Sequence, residues 1–222
     1  MKHRYFIFDL DGTIAYTLED LKTSINLAMK DLGFPEVSLK TTLDNINFGA
    51  YALLNGCLPE EHRSPDTAKC AVEAFTRHYS QHYLDKTCAY PGVTEGIAAL
   101  KAAGCLLAVY TNKPDNEAKA ISARLFPKDT FLFVIGQDGT FPHKPSPEGA
   151  WYIAEQFGAR PEEVVLIGDS DVDMRLAANA GMIPVGVDWG YRPASLLREL
   201  GARRILTDGK ELISLIDGID PS

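Results

Sequence analysis

The sequence predicts an α/β protein in which a doubly wound parallel sheet carries an inserted segment of helices. Short, continuous apolar runs alternate with amphipathic helical patterns over most of the chain, and one early stretch is helical throughout. Continuous apolar strands separated by helices are typical of a parallel sheet covered on both faces. Five runs, each followed by polar or turn-forming residues, are predicted as strands: residues 5–8, 105–110, 131–135, 164–167 and 183–187.

Helical patterns lie between the later strands. They cover residues 93–103, 115–126, 147–157 and 172–180. Three of them are followed by a glycine, which readily takes the left-handed conformation just after a helix: Gly104, Gly158 and Gly181. Ser146 and Pro147 are predicted as the N-cap and first residue of the third helix.

Residues from about 17 to 86 interrupt this alternation. Their apolar side chains recur at helical spacing, as in Leu18, Leu21, Ile25, Ala28 and Leu32, and again in Val72, Phe75, Tyr79 and Tyr83. We therefore predict a helical cap domain at residues 16–87, inserted into an α/β core domain made of residues 1–15 and 88–222. Hinges are expected at residues 15–17 and 86–90.

Composition excludes some classes of partner. The chain has 222 residues, 45% of them hydrophobic, which suits a sizeable buried core. A net charge of -8 opposes a broad surface for nucleic acid or for an anionic membrane. The four cysteines are widely spaced with no CxxC pair, so we expect reduced thiols, and no run approaches a membrane span or a signal peptide. These features predict a cytoplasmic protein. The sequence pattern does not determine the oligomeric state, for which a monomer or a homodimer is expected.

Side chains that carry chemistry follow the predicted strands. They come after the first, second and fourth strands and in the loop after the third: Asp9 and Asp11, Thr111 and Asn112, Asp169 and Asp173, and Lys144. In open parallel sheets the ligand crevice lies beyond the carboxyl ends of the strands, so these residues are expected to meet there. Taken alone, Asp9 is as consistent with a strand-ending turn residue as with a functional one. An exposed loop lysine at Lys144 and a simple helix-cap turn at Thr111-Asn112 are the less favoured alternatives.

Such a group of residues predicts a metal site beside a phosphate site. Four carboxylates gathered with a single lysine would repel one another without a cation, and hard oxygen ligands suit Mg²⁺. Asp9 and Asp169 are the expected carboxylate ligands. The cation would offset charge on a phosphoryl group in the transition state. The Thr111 hydroxyl, the Asn112 backbone N–H and the Lys144 ammonium are expected to hold the same phosphoryl oxygens.

Asp9 and Asp11 have the spacing expected of a nucleophile and its acid/base partner. A carboxylate that attacks phosphorus forms an acyl phosphate, which divides a very slow hydrolysis into two easier steps. Asp11, two residues further on, is expected to protonate the leaving oxygen and then to deprotonate water. Gly12 lets the chain turn away sharply.

The assembled motifs resemble the haloacid dehalogenase-like hydrolase superfamily. Four stretches match its motifs in order: Asp9-Leu10-Asp11-Gly12-Thr13, Thr111-Asn112, Lys144-Pro145 and Gly168-Asp169-Ser170-Asp171-Val172-Asp173. The resemblance implies a Rossmann-like core, a nucleophile at Asp9, an acid/base at Asp11, and phosphate binding by Thr111 and Lys144. It also implies Mg²⁺ bound by Asp9, the Asp11 carbonyl and Asp169. Asp173 and Ser170 would contact these ligands and keep them in position without binding the metal themselves.

Within that superfamily the helical insertion looks like the small cap of the phosphoglycolate phosphatase-like members. Residues 186–191 and 206–208 are also similar to that group. Tyr16 and Thr17 stand where the group usually has Asp-Ser, and Asn47-Phe48-Gly49 only loosely matches its glycine-containing substrate loop.

Three nearby features have simpler interpretations. Asp171 is expected to be a solvated loop carboxylate rather than a ligand. His143 is expected at the surface. His78 and His82 lie one helical turn apart, but no third ligand is visible, so cap packing or an exposed face is favoured over a metal pair.

The leading functional prediction is a phosphatase acting on a small phosphorylated metabolite, with 2-phosphoglycolate first. Pyrophosphate or a nucleoside monophosphate is the next substrate, followed by a β-phosphoglucomutase-like mutase reaction and, less favoured, phosphonate hydrolysis. A catalytically silent binding protein that keeps the fold is the alternative from another class.

Overall fold

The computed structural model describes residues 3–46 and 49–219. Asn47 and Phe48, in the stretch compared with a substrate loop, lie outside the described residues. The chain divides into two compact units. One consists of Met1–Tyr16 with Ala89–Ser222, and the other is Thr17–Cys88.

The first unit contains a six-stranded parallel sheet, which confirms the predicted fold class. The strands, numbered along the chain, are β1 (Tyr5–Phe8), β2 (Ala15–Tyr16), β3 (Cys88–Ala89), β4 (Leu106–Pro114), β5 (Phe133–Gln137), β6 (Val164–Gly168), β7 (Ile183–Val187) and β8 (Arg204–Leu206). The order in the main sheet is β5-β4-β1-β6-β7-β8, while β2 and β3 form a separate two-stranded sheet. Neighbouring strands of the main sheet all run parallel.

Strand β1 lies at the centre because its apolar residues are buried on both faces. Phe6, Ile7 and Phe8 are each at most 1% exposed. Phe8 is in register with Val109 of β4 on one side and with Ile167 of β6 on the other. This register brings the residues that follow the three strands to the same edge of the sheet.

Several strands differ from the prediction. β4 continues to Pro114, so Thr111 and Asn112 lie within the strand and not in the predicted turn. The extension pairs with β5 at Gln137 after an irregularity in register. β5 begins at Phe133, two residues later than predicted. β2, β3 and β8 were not predicted, because strands of two or three residues leave no recognisable pattern.

Helices cover the strands of this unit. They are α5 (Val93–Ala102), α6 (Asp115–Leu125), α7 (Glu148–Phe157), α8 (Asp171–Ala180) and α9 (Ala194–Glu199), after the four helices of the other unit, with 3₁₀ turns at Pro161–Glu163 and Gly209–Ile216. Gly158 and Gly181 end α7 and α8 with φ of 68° and 70°, as predicted. The predicted start of α7 was wrong by one residue, because Pro147 occupies the cap position and no side chain caps the helix.

The second unit is helical, as predicted for this stretch. It contains α1 (Leu18–Asp31), α2 (Leu39–Asn45), α3 (Gly49–Cys57), a 3₁₀ turn (Glu60–His62) and α4 (Pro65–His82). α1 and α4 pack against each other, and small buried residues, Ala28 on α1 and Ala71 on α4, line their apolar faces. Across residues 3–46 and 49–219, no helix combines the length and apolar composition that a membrane span requires.

His78 and His82 each contact a carboxylate. His78 Nε2 lies 2.8 Å from Asp31 Oδ2, and His82 Nδ1 lies 2.8 Å from Asp85 Oδ2. The four side chains in these contacts are between 20% and 58% exposed. This arrangement agrees with the simpler interpretation of the two histidines.

All four cysteines are free thiols, as predicted. Cys57 and Cys105 are buried, whereas Cys70 and Cys88 are exposed. Burial raises the pKa of Cys57 to about 11, so this thiol is a poor nucleophile at neutral pH.

Candidate active site

Three buried carboxylates form a cluster at the carboxyl edge of the sheet. Asp9 follows β1 and Asp169 follows β6, while Asp173 lies in the first turn of α8. One carboxylate oxygen from each lies within 4.8 Å of the others. The three residues are 6%, 0% and 0% exposed, respectively. The predicted residues on these two strands are therefore brought together.

Burial of this cluster opposes its negative charge. Burial raises the pKa of Asp9 to about 7. The positive charge of Lys144 lowers this pKa, whereas the negative charges of Asp173 and Asp11 raise it further. The pKa of Asp169 is also raised well above its ordinary value, first by burial and then by Asp173 and Asp9. Carboxyl groups in this state are stabilised as anions by a bound cation.

Lys144 joins two members of the cluster. Its Nζ lies 2.7 Å from Asp9 Oδ1 and 2.7 Å from Asp173 Oδ1, and its side chain is 3% exposed. Burial alone would lower the pKa of Lys144, but the charges of Asp173 and Asp9 outweigh burial and raise it. Lys144 is therefore a buried cation, not the exposed loop lysine of the alternative interpretation.

Asn112 holds the backbone of Lys144 in place. Its Oδ1 accepts a hydrogen bond from the Lys144 N–H at 2.8 Å, and its Nδ2 donates to the Lys144 carbonyl at 3.1 Å. From the sequence, Asn112 was expected to bind phosphate only through its backbone N–H. Its side chain connects β4 to the lysine loop, a role that spacing alone does not reveal.

Asp169 is held from two sides. Thr13 Oγ1 donates to Asp169 Oδ1 at 3.0 Å, and the Tyr191 N–H donates to Asp169 Oδ2 at 2.7 Å. The chain approaches so closely at Gly12 and Gly190 that a Cβ at either position would collide with Asp169. Gly12 also has φ of 84°, a conformation that glycine adopts at little cost.

Asp173 has its two oxygens bound by the protein itself. Oδ1 accepts from Lys144 Nζ at 2.7 Å, while Oδ2 accepts from the Ser170 N–H at 3.1 Å and from Ser170 Oγ at 2.5 Å. Ser170 Oγ in turn accepts from the Asp173 N–H, which caps α8. Asp173 is thus fixed at the start of its helix with its charge directed at Lys144.

The donor set fits a hard divalent cation. Asp9 Oδ1 is buried and, among the described residues, has no aligned hydrogen-bond donor, although Lys144 Nζ is close. Clustered carboxylate oxygens from Asp9 and Asp169 are the kind of ligands that a hard cation requires. Oxygen-only ligands favour cations such as Mg²⁺ over softer metals.

Asp11 is not one of the three clustered carboxylates, and it pairs with a different lysine. Its Oδ1 and Oδ2 accept from Lys113 Nζ at 3.2 and 3.1 Å. The expectation of a single lysine among the four carboxylates was therefore wrong, because Lys113 is a second one. A signal was present: Lys113 follows Thr111 by two residues, and side chains two apart in a strand lie on the same face. Thr111 itself is 2% exposed.

Asp171 lies outside this group and is not a solvated loop residue. It occupies the first turn of α8, and its side chain is 18% exposed. Its oxygens lie 3.9 Å from Arg175 Nε and 3.8 Å from Arg192 Nε. The expectation of a solvated loop was wrong because the helix begins one residue earlier than predicted. His143 is exposed, as expected.

Comparisons with known proteins agree with this geometry. The haloacid dehalogenase-like hydrolase family matches residues 6–187. A phosphoglycolate phosphatase of Nitrosospira multiformis is 34% identical over 214 residues, covering 95% of this chain and 94% of that protein. Another, from Chromobacterium violaceum, is 30% identical over 201 residues, covering 89% and 90%.

Solved structures lead to the same family. The crystal structure of a predicted phosphoglycolate phosphatase from Haemophilus somnus matches with a TM-score of 0.88 and 29% identity, covering 97% of this chain and 98% of that one. The fold, the ordered motifs and the full-length relatives agree. The chain therefore belongs to the haloacid dehalogenase-like hydrolases and is a phosphatase of the phosphoglycolate phosphatase-like group.

Proposed function

We propose that this phosphatase hydrolyses a small phosphomonoester through a phosphoaspartate on Asp9 with Mg²⁺ as cofactor, and that 2-phosphoglycolate is its first candidate substrate. The observation that carries the proposal is the buried Asp9 carboxylate, whose Oδ1 lies 2.7 Å from Lys144 Nζ and which is clustered with the carboxylates of Asp169 and Asp173. A buried carboxylate that lies beside an ammonium group and two further carboxylates is placed to attack phosphorus and to bind a cation.

In the proposed first step, an Asp9 oxygen attacks phosphorus and the bond from phosphorus to the ester oxygen breaks. Asp11 donates a proton to that oxygen, so an alcohol leaves and not an alkoxide. In the second step, Asp11 takes a proton from water, the water oxygen attacks the phosphoryl group, and the acyl phosphate bond breaks. Inorganic phosphate leaves and Asp9 is regenerated.

Asp9, Asp169 and the Asp11 carbonyl would bind Mg²⁺ in this proposal. When bound, the cation supplies positive charge that stabilises the phosphoryl oxygens in the transition state. Asp173 and Ser170 would keep the surrounding groups in position. The Thr111 hydroxyl, the Asn112 N–H and the Lys144 ammonium would bind phosphoryl oxygens directly.

The balance of charge supports a divalent cation. Four carboxylates face two ammonium groups, from Lys113 and Lys144, when all are ionised. The two remaining negative charges would repel a phosphate dianion unless a divalent cation balanced them. Mg²⁺ also suits the hard oxygen ligands.

The relatives support the choice of substrate, because those named above are called phosphoglycolate phosphatases. We also propose the helical unit as the cap domain, since the boundaries between the units fall at residues 16/17 and 88/89, within the two predicted hinge segments. The four free thiols support a cytoplasmic location. A monomer or homodimer remains part of the proposal.

Phosphate release from a panel of substrates tests this function. The panel contains 2-phosphoglycolate, pyrophosphate, nucleoside monophosphates and hexose phosphates, each with Mg²⁺ and with chelator. We expect one substrate to reach kcat/KM above about 10⁴ M⁻¹s⁻¹, with loss of activity in chelator and in Asp9→Asn. Asp44→Asn, at an exposed aspartate paired with Lys40, is the matched control. Wild-type rates in Asp9→Asn would contradict the proposal.

A further inference from the structure

Lys113 is a buried cation that the proposed chemistry does not yet use. Its side chain is 2% exposed, and its Nζ contacts both oxygens of Asp11. The other lysine of the site, Lys144, contacts Asp9 and Asp173 instead. One lysine therefore lies beside the proposed nucleophile and the other beside the proposed acid.

This separation assigns the two lysines to different parts of a substrate. The phosphoryl group must lie at Asp9, close to Lys144, whereas the ester oxygen must lie within about 2.6–3.2 Å of the Asp11 carboxylate to receive its proton. Lys113 Nζ is only 3.1 Å from Asp11 Oδ2. Lys113 therefore lies on the leaving-group side of the site.

We propose that Lys113 binds a carboxylate on the leaving group, so that the site selects phosphoesters in which a carboxylate is one carbon away from the ester oxygen. The carboxyl carbon of such a substrate is two single bonds from the ester oxygen, about 2.5 Å. With the ester oxygen at Asp11, this carboxylate comes within ion-pair distance of Lys113 Nζ. 2-Phosphoglycolate is the smallest member of this class, and the inference rests on the proposed function.

Burial and charge favour this role. An ammonium group has three donors and can contact a second carboxylate beside that of Asp11. Over the whole residue, Lys113 has the same 6% exposure as Asp9 and Lys144, which act on the phosphoryl group in the proposed function. An ion pair at this buried position would discriminate strongly between substrates with and without the carboxylate. A substrate with a neutral group there would leave the ammonium of Lys113 with fewer interactions.

A pair of substrates isolates the interaction. 2-Phosphoglycolate and 2-hydroxyethyl phosphate both place a two-carbon leaving group on phosphate, but only the first has a carboxylate. We expect the wild type to prefer 2-phosphoglycolate in kcat/KM by about 10- to 100-fold, the effect of one charge-assisted hydrogen bond. Lys113→Met is expected to abolish most of this preference, and Lys113→Arg to restore part of it.

Lys119→Met is the matched control. Lys119 follows the same strand, in α6, but its side chain is 58% exposed and pairs with Asp115. This variant is expected to keep the wild-type preference. In each variant the kcat/KM for 2-phosphoglycolate is divided by that for 2-hydroxyethyl phosphate. This ratio is unaffected by a general loss of activity that follows from a displaced Asp11.

The outcomes are distinct. A wild type that shows no preference between the two substrates overturns the inference without need of a variant. An equal loss for both substrates in Lys113→Met also overturns it, because Lys113 would then act only by positioning Asp11. If the wild type releases no phosphate from any member of the wider panel, the proposed function fails and the inference fails with it.

Discussion

Lys144 Nζ lies 2.7 Å from Asp173 Oδ1, and both side chains are at most 3% exposed. Because Ser170 binds the other oxygen of Asp173, this carboxylate is fixed at the start of α8 and holds the lysine in turn. The same ammonium lies 2.7 Å from Asp9. Asp9, the proposed nucleophile, is therefore positioned by Lys144, which the capping residues of α8 hold in turn.

Replacing Lys144 with methionine is expected to destabilise the metal-free protein by about 3–5 kcal/mol, because two buried carboxylates lose their counter-charge. Urea denaturation in chelator measures this change in the free energy of unfolding. Lys119→Met removes an exposed ion pair and is expected to change the stability very little. A Lys144→Met variant as stable as Lys119→Met would contradict the assigned contacts.

The metal-free protein should become less stable as pH rises through the titration of Asp9. Burial is the main cause that raises its pKa from 3.8 to about 7. Between these values the folded carboxyl keeps a proton that the unfolded one has lost, so the folded state binds more protons and the free energy of unfolding falls with rising pH. This destabilisation is complete above about pH 7.

Thermal melts in chelator check this pH dependence. Asp9→Asn cannot ionise at this position, so its Tm relative to the wild type is expected to increase from pH 5 to pH 8. Asp44→Asn, at an exposed site, should follow the wild type throughout. A constant difference between Asp9→Asn and the wild type would show that Asp9 has an ordinary pKa.

Gly190→Ala is expected to weaken Mg²⁺ binding by about 10- to 100-fold, the usual effect of displacing a metal ligand through its supporting groups. A Cβ at Gly190 would collide with Asp169. The measurement is the increase in Tm with Mg²⁺ concentration. Gly218→Ala, where a Cβ meets no atom within 4 Å, should bind Mg²⁺ as the wild type does. Equal affinities in the two variants would remove Asp169 from the metal site.

Asp20 is expected to be essential for the stability of the helical unit. It is 2% exposed and accepts hydrogen bonds from the N–H groups of Lys86 and Thr87. Asp20→Ala leaves these backbone donors without their acceptor, at a cost of about 2–3 kcal/mol. Urea denaturation is the check, with the exposed Asp44→Ala as control. Equal stability of these two variants would contradict the assigned contacts.

The sequence allowed the sheet and most of the site to be predicted, for a physical reason. A buried parallel strand is a continuous apolar run, so Asp9 and Asp169 are conspicuous where such runs end. Lys113 was missed because β4 continues past its apolar run, pairing with β5 at Pro114. The hydrogen bonds that Thr13 and Tyr191 donate to Asp169 were missed because contacts between distant segments leave no local pattern in the sequence.

The most direct test of the account is the location of the phosphoryl group during turnover. The protein is mixed with p-nitrophenyl phosphate and Mg²⁺, quenched in acid within the first turnovers, digested and analysed by mass spectrometry. A good leaving group needs little help from a general acid, so the first step is fast and the intermediate accumulates. The account predicts one phosphoryl group on Asp9, absent in chelator and in Asp9→Asn. A phosphoryl group on another residue would contradict it.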